Sequence, residues 1–298
     1  MMRNIFSGVG ISFCALMLGL IGASAARAQS PGQQPPPVQQ PPAQQPPAQQ
    51  QTNQQKPAPS ATQTPPAEAP KVNPQEEADY KAFNALKADD TANQIKLGED
   101  FVQKYPESKY DESVYAKLTQ AYATKQDVPK MNAAGEKALA INPDDVSVLV
   151  QLGFVAPHFS DPNDMDAERK LQKAEQELKH ALELLPTMPK PATITDDDFA
   201  KAKAAAAEEA HSGLGLVYFR EGKFEESLAE FKTPGAGSDV DPTNLYVMGI
   251  DLQQLKRFGE AADTYSKCAA TSGPLQSRCK QRADQMKQQA ASQPAAKP

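Results

Sequence analysis

A 34-residue echo constrains this chain more than any other feature of it. His211-x2-Leu214-Gly215-x2-Tyr218 recurs 34 residues later as Leu245-x2-Met248-Gly249-x2-Leu252, and Tyr115-x2-Leu118-Thr119-x2-Tyr122 recurs at the same shift as Leu149-x2-Leu152-Gly153. A fixed period of this length marks a repeat architecture, in which each unit buries its apolar face only against its neighbours. Within each period, apolar residues fall at three- and four-residue spacing in two stretches split by a short break. That pattern predicts a helix, a turn and a second helix, repeated. The fold class it predicts is all-α, a solenoid of stacked helix-turn-helix units.

The copy written HSGLGLVYFREGKFEESLAEF places Leu214, Leu216, Tyr218 and Phe219 on a first helix, Gly222 in the break, and Phe224, Leu228 and Phe231 on a second. These residues resemble the tetratricopeptide repeat, whose pattern asks for a large residue, then Leu-Gly, then Tyr, then Ala-x3-Phe and a closing Pro. The copy from Leu245 to Cys268 fits through Met248-Gly249, Phe258 and Ala261-x3-Tyr265. The copy from Glu112 to Asp145 fits through Tyr115, Leu118, Tyr122, Ala138 and Pro143.

Two further copies carry fewer signature residues: one around Tyr80, Phe83, Ile95, Phe101 and Tyr105-Pro106, and one joining Leu152-Gly153 to Ala174-x3-Leu178, Ala181 and Pro186. The resemblance therefore covers residues 73–290, with units at about 75–111, 112–145, 146–187, 208–241 and 242–275 and a capping helix at 276–290. It implies a right-handed superhelix. The chain has no Trp, so Tyr115, Leu149, His211, Leu245 and Cys279 stand in the large-residue slot, and Gly135 stands where the second helix ordinarily carries an aromatic. Both departures reduce buried area.

Residues 1–28 read as an export signal. Arg3 opens a short positive start, an uncharged apolar run extends from Ile5 to Ala26, and small residues end in Ala26-Arg27-Ala28. Cleavage after Ala28 gives a periplasmic or secreted protein. The same uncharged run is 22 residues long, enough to span a bilayer if retained, and the alternative is a chain anchored to the inner membrane. Cys14 sits within the run, not at its end after a small residue, which argues against a lipid attachment site. Residues 29–72 are almost entirely Pro, Gln, Ala and Thr. They offer too little apolar area to offset the entropy of ordering and read as a disordered linker. With a polyproline-II rise of about 3.1 Å per residue, such a linker reaches on the order of 100 Å. Residues 291–298 read as a disordered tail.

The chain carries 31 basic and 37 acidic residues, and loss of Arg3 and Arg27 with the signal leaves 29 against 37. No basic patch interleaved with aromatics occurs, so nucleic acid is excluded as a partner class. After cleavage only Cys268 and Cys279 remain, in a compartment where a disulfide persists. The repeat frame puts Cys268 late in the last second helix and Cys279 in the large slot of the helix stacked on it, and the reading is a disulfide that pins the solenoid's end.

Catalysis has little to work with. A nucleophile needs a base oriented by a third group, and the histidines number three, His158, His180 and His211. His211 fills a packing slot and His180 precedes the packing residue Ala181. His158 lies near Asp161, Asn163, Asp164 and Asp166, but that spacing does not match a calcium loop and reads as a solvated acidic break. Asp196, Asp197 and Asp198 follow Thr195 as the cap and first turn of a long Ala-rich helix from Asp196 through Tyr218. No phosphate-binding Gly loop, CxxC pair or HExxH motif occurs, and no metal or cofactor is expected.

In tetratricopeptide folds the first helix of each pair lines a concave groove. Carrying the family's groove offsets onto this chain gives Val150, Phe154, Leu216, Phe219, Tyr246 and Ile250 as an apolar stripe, with Arg220 and Gln253 at its rim. The resemblance therefore implies a protein or peptide partner, an apolar helix or extended segment. Two other readings stay open. The extra chain near 157–166 and 187–207 covers the stripe from within, or the solenoid serves as a structural spacer that associates with itself or with an envelope assembly.

Overall fold

The computed structural model describes residues 73–160, 164–233 and 241–292, all within one compact unit. The expected signal segment, the linker and positions 293–298 lie outside the described residues, as do Asp161 and Asn163 of the acidic break. Among the described residues the fold is an all-α solenoid of eleven helices: α1 (Pro74–Asn84), α2 (Thr91–Lys104), α3 (Asp111–Thr124), α4 (Val128–Ile141), α5 (Val146–Phe159), α6 (Ala167–Leu184), α7 (Asp196–Arg220), α8 (Phe224–Phe231), α9 (Pro242–Gln254), α10 (Phe258–Ala270) and α11 (Gln276–Ser292). A 3-10 turn, Leu185–Thr187, follows α6. None of these helices is long and apolar enough to cross a membrane.

Local chemistry explains where the helices start. Asp145 Oδ1 accepts from the backbone N–H of Ser147 and Val148 ahead of α5, and Asp241 Oδ1 does the same for Thr243 and Asn244 ahead of α9. Thr195 Oγ1 accepts from Asp198 N at 3.1 Å and opens α7 under three acidic residues that suit the helix dipole. Each of these side chains satisfies N–H groups that a helix start leaves without intrahelical acceptors.

The turn inside three of the pairs is one structure used three times. At Gln126, Gly222 and Lys256 the backbone is left-handed, with φ of 59°, 74° and 60°. In each case the next residue's N–H bonds back to the carbonyl of the Tyr-slot residue: Asp127 to Tyr122 at 3.0 Å, Lys223 to Tyr218 at 2.9 Å, and Arg257 to Leu252 at 2.8 Å. This six-to-one closure ends the first helix and aims the second across it. Only Gly222 enters the left-handed region without a steric cost; Gln126 and Lys256 carry a Cβ there.

Packing within a pair depends on bare backbone on the first helix. A Cβ on Gly215 would lie 2.7 Å from the Phe231 ring, and one on Gly249 would lie 2.5 Å from the Tyr265 ring. The same device crosses between pairs at Gly135 on α4, where a Cβ would meet both Leu152 methyls at 2.8 Å. Leu152 of α5 thus fills the space left by the missing aromatic, so the expected loss of packing there is made good by the following unit.

Two expected boundaries shift. Pro157, assigned to a break, lies inside the last turn of α5. Its fixed φ is helical, and so near the helix end it removes one backbone hydrogen bond without stopping the helix. Ala291 and Ser292, assigned to the tail, complete α11.

Candidate interaction surface

The expected groove residues sit on three first helices that lie side by side, α5, α7 and α9. Glycine again sets the approach: a Cβ on Gly213 of α7 would come 3.3 Å from Phe154 Cα of α5. That closeness changes the character of the stripe. Val150, Leu216 and Tyr246 are buried, at 3%, 7% and 4% exposure, and form core rather than surface. The reading of all six apolar residues as an open stripe is therefore corrected for these three: adjacent first helices press together until their facing side chains leave water.

Phe154, Phe219 and Ile250 are half-buried. All three pack against the C-terminal hydrophobic cluster that contains Leu216 and Tyr246, and Phe154 also touches the N-terminal cluster built on Phe83, Phe101 and Leu118. Val150 belongs instead to the middle cluster, with Leu178, Leu214 and Tyr218. The structure thus brings five of the six apolar residues to one cluster and leaves the faces of three of them partly accessible.

The rim is held in place. Arg220 Nε donates to the Pro157 carbonyl oxygen at 3.0 Å, tying the end of α7 to the end of α5 across 63 residues of chain. Gln253, near the end of α9, is half-buried. His158, placed in the last turn of α5 rather than in a break, packs on Phe154 with ring centroids 4.9 Å apart. Burial, with the Arg220 charge beside it, pushes its imidazole down to about 4, so it is neutral at pH 7. His211 Nδ1 pairs with Glu230 Oε2 and His180 Nε2 with Asp144 Oδ1, each at 2.7 Å. The hydrogen-bond partners of His180 and His211 are thus carboxylates, not hydroxyl or thiol groups. Among the described residues no cluster of three metal-ligating side chains occurs.

Sequence reasoning missed the buried polar groups that lock pairs together. The Tyr-slot hydroxyls reach back to the preceding second helix: Tyr122 donates to Glu99 Oε1 at 2.6 Å and Tyr218 to Glu175 Oε1 at 2.9 Å. Ser212 on α7 donates to Asn244 Oδ1 on α9 at 3.0 Å, fully buried. Glu177 on α6 and Asp251 on α9 are buried carboxyls, and burial pushes each up to about 7. Asp251 had a signal: a charge directly between Ile250 and Leu252, on a helix whose other faces are apolar.

Cys268 on α10 and Cys279 on α11 are both fully buried, and their sulfurs lie within bonding distance at 1.95 Å, with Cα atoms 5.8 Å apart.

These elements define the class: an α-solenoid of tetratricopeptide-like helical pairs, in which first helices form a continuous layer and second helices back it. No family model matches the chain, and no curated protein matches it. Among solved structures it is similar to a thermophilic TPR protein of Thermus thermophilus, at 16% identity and a TM-score of 0.43 over 72% of this chain and 99% of that one. It is also similar to PilW, a widely conserved type IV pilus biogenesis factor, at 15% identity and a TM-score of 0.47 over 76% of this chain and 97% of that one.

Proposed function

We propose that the chain is an exported, non-catalytic scaffold that binds a protein or peptide partner on the layer formed by α5, α7 and α9. Phe154, Phe219 and Ile250 supply the apolar contact, Arg220 and Gln253 the polar rim, and residues 29–72 carry the solenoid away from its site of export or attachment. The observation that carries this reading is the trio of half-buried apolar side chains from three consecutive first helices, gathered on one cluster and flanked by a fixed guanidinium. Partly accessible apolar side chains on a rigid support offer a partner a docking contact. In the oxidising compartment this reading requires, Cys268 and Cys279 form a disulfide that secures α11 as the solenoid's cap.

The test is site-specific photo-crosslinking in the native host, with a photo-reactive residue at Phe219 and, as control, at the exposed Ala229 on α8. A discrete adduct at Phe219 that is missing at Ala229 and is lost with Ile250→Asp, helicity being unchanged, supports the surface. Adducts only within the chain itself, or equal capture at both positions, would mean that the layer is sealed core.

A further inference from the structure

Ser227 on α8 sits between two oxygens. Its Oγ lies 2.9 Å from the Gly215 carbonyl oxygen of α7 and 2.7 Å from Asp251 Oδ2 of α9. Ser227 and Asp251 are both 0% exposed. A serine hydroxyl carries one hydrogen, whereas a carbonyl oxygen and an ionised carboxylate oxygen are both acceptors only. With Asp251 charged, one of the two contacts is oxygen against oxygen with no hydrogen between them. With Asp251 protonated, both close: the acid O–H donates to Ser227 Oγ, and the Ser227 O–H donates to Gly215.

We propose that Asp251 is a proton-binding latch between the last two helical pairs, neutral in the native fold, whose ionisation as pH rises breaks the Asp251–Ser227–Gly215 chain and loosens α9 from α7 and α8. On ionisation the proton leaves to solvent, the carboxylate takes the Ser227 hydrogen, and the Gly215 carbonyl loses its side-chain donor.

The surroundings agree with a neutral acid. From α8 the Ser227 hydroxyl reaches it, and the Gly215 carbonyl of α7 faces that hydroxyl from its other side. From α10 the titratable group is the Tyr265 phenol, itself pushed well up by burial first and by Tyr246 and Asp251 after it. Arg282 of α11 acts on Tyr265, but among the described residues no cation offsets a charge on Asp251. Asp251 Oδ1 has no hydrogen-bond partner among protein groups, a heavy cost for a charged oxygen and a light one for a neutral carbonyl. Burial pushes the carboxyl up to about 7, opposed only by the Ser227 hydrogen bond. The latch works in the same way whatever the solenoid binds.

The experiment uses the full mature chain. Thermal midpoints are compared for wild type and Asp251→Asn between about pH 5 and pH 9. Asparagine keeps a donor toward Ser227 and cannot ionise. The expected result is a wild-type midpoint that falls as pH rises from about 5 to about 7 and levels off above, because the folded state holds a proton the unfolded state has lost over that span, while Asp251→Asn falls less and by about pH 7 and above has gained several degrees on wild type. Parallel curves overturn the proposal. Independently of any variant's folding, carbonyl carbon NMR of wild type labelled at the aspartate carboxyl should show one resonance that titrates around neutrality, about three pH units above an ordinary aspartate at 3.8. Titration of every aspartate near pH 4 overturns the latch.

Discussion

Gly249→Ala is a severe change for its size. The added methyl carbon would sit 2.5, 2.6 and 2.8 Å from three atoms of the Tyr265 ring, where carbon atoms pack at about 3.5–4.0 Å. The ring must retreat by about 1 Å, and it is 0% exposed, so it has nowhere to go without moving α10 off α9. Overpacking a core in this way costs about 1–3 kcal/mol, and a rigid buried ring belongs at the upper end. Replacing Gly by Ala inside a helix returns about 1 kcal/mol. The expected net loss is therefore about 2 kcal/mol, or about 4–8 °C for a unit of this length. Urea denaturation followed by circular dichroism reads it. The decisive control is the double mutant with Tyr265→Leu: with the ring gone the alanine should be tolerated, giving a coupling of about 1 kcal/mol or more. A Gly249→Ala protein as stable as wild type, or an unchanged penalty beside Tyr265→Leu, would refute the claim that ring-on-backbone contact sets the spacing within a pair.

Four further outcomes are expected. Lys256→Gly relieves a left-handed residue in the α9–α10 turn and should stabilise by about 0.5–1 kcal/mol in the same assay, despite the greater freedom glycine gives the unfolded chain. Cys268→Ser should lower stability by about 2–3 kcal/mol, if the bridge closes its short loop, and make α11 the first segment cut in limited proteolysis; unchanged cleavage would count against a disulfide-secured cap. Glu177 titrates at about 7 in the fold and about 4.5 unfolded, so the folded state holds a proton that the unfolded state has lost. Stability from this residue is greatest below about pH 4.5, falls as pH rises to about 7 and is flat above, a span of about 3 kcal/mol that Glu177→Gln should remove from the pH profile. Intact mass of the exported protein should begin at Gln29; a mass that includes residues 1–28 would favour the anchored form.

The helical-pair architecture was legible because its determinants are local. The Leu-Gly and Tyr slots and the Thr195 cap are each readable within a few turns of chain, the 34-residue echo repeats the slots, and the structure carries out each slot and the cap with a named bond or contact. The state of the candidate surface was not legible, because exposure depends on how closely two non-adjacent helices approach. The slot pattern gives Val150 and Phe154 the same concave face, yet Val150 is buried in the middle cluster with Leu178 and Leu214 while Phe154 stays half-buried. Gly135 failed as a reading for the same reason: its partner, Leu152, comes from the next unit. Buried carboxyls are harder still. Asp251 stands out in the sequence only as a charge between Ile250 and Leu252; its burial and its partner Ser227, 24 positions away on another helix, come from the packing.

The Leu152–Gly135 fit bears on modularity. Solenoids are commonly treated as strings of interchangeable parts, to be lengthened or shortened at any joint. Here the joint between α4 and α5 is keyed: cutting the chain there leaves a leucine-sized hole in one fragment and an uncovered leucine on the other. Any shortened or grafted version of this solenoid keeps α4 and α5 together, or supplies an aromatic at position 135 to plug the notch it exposes.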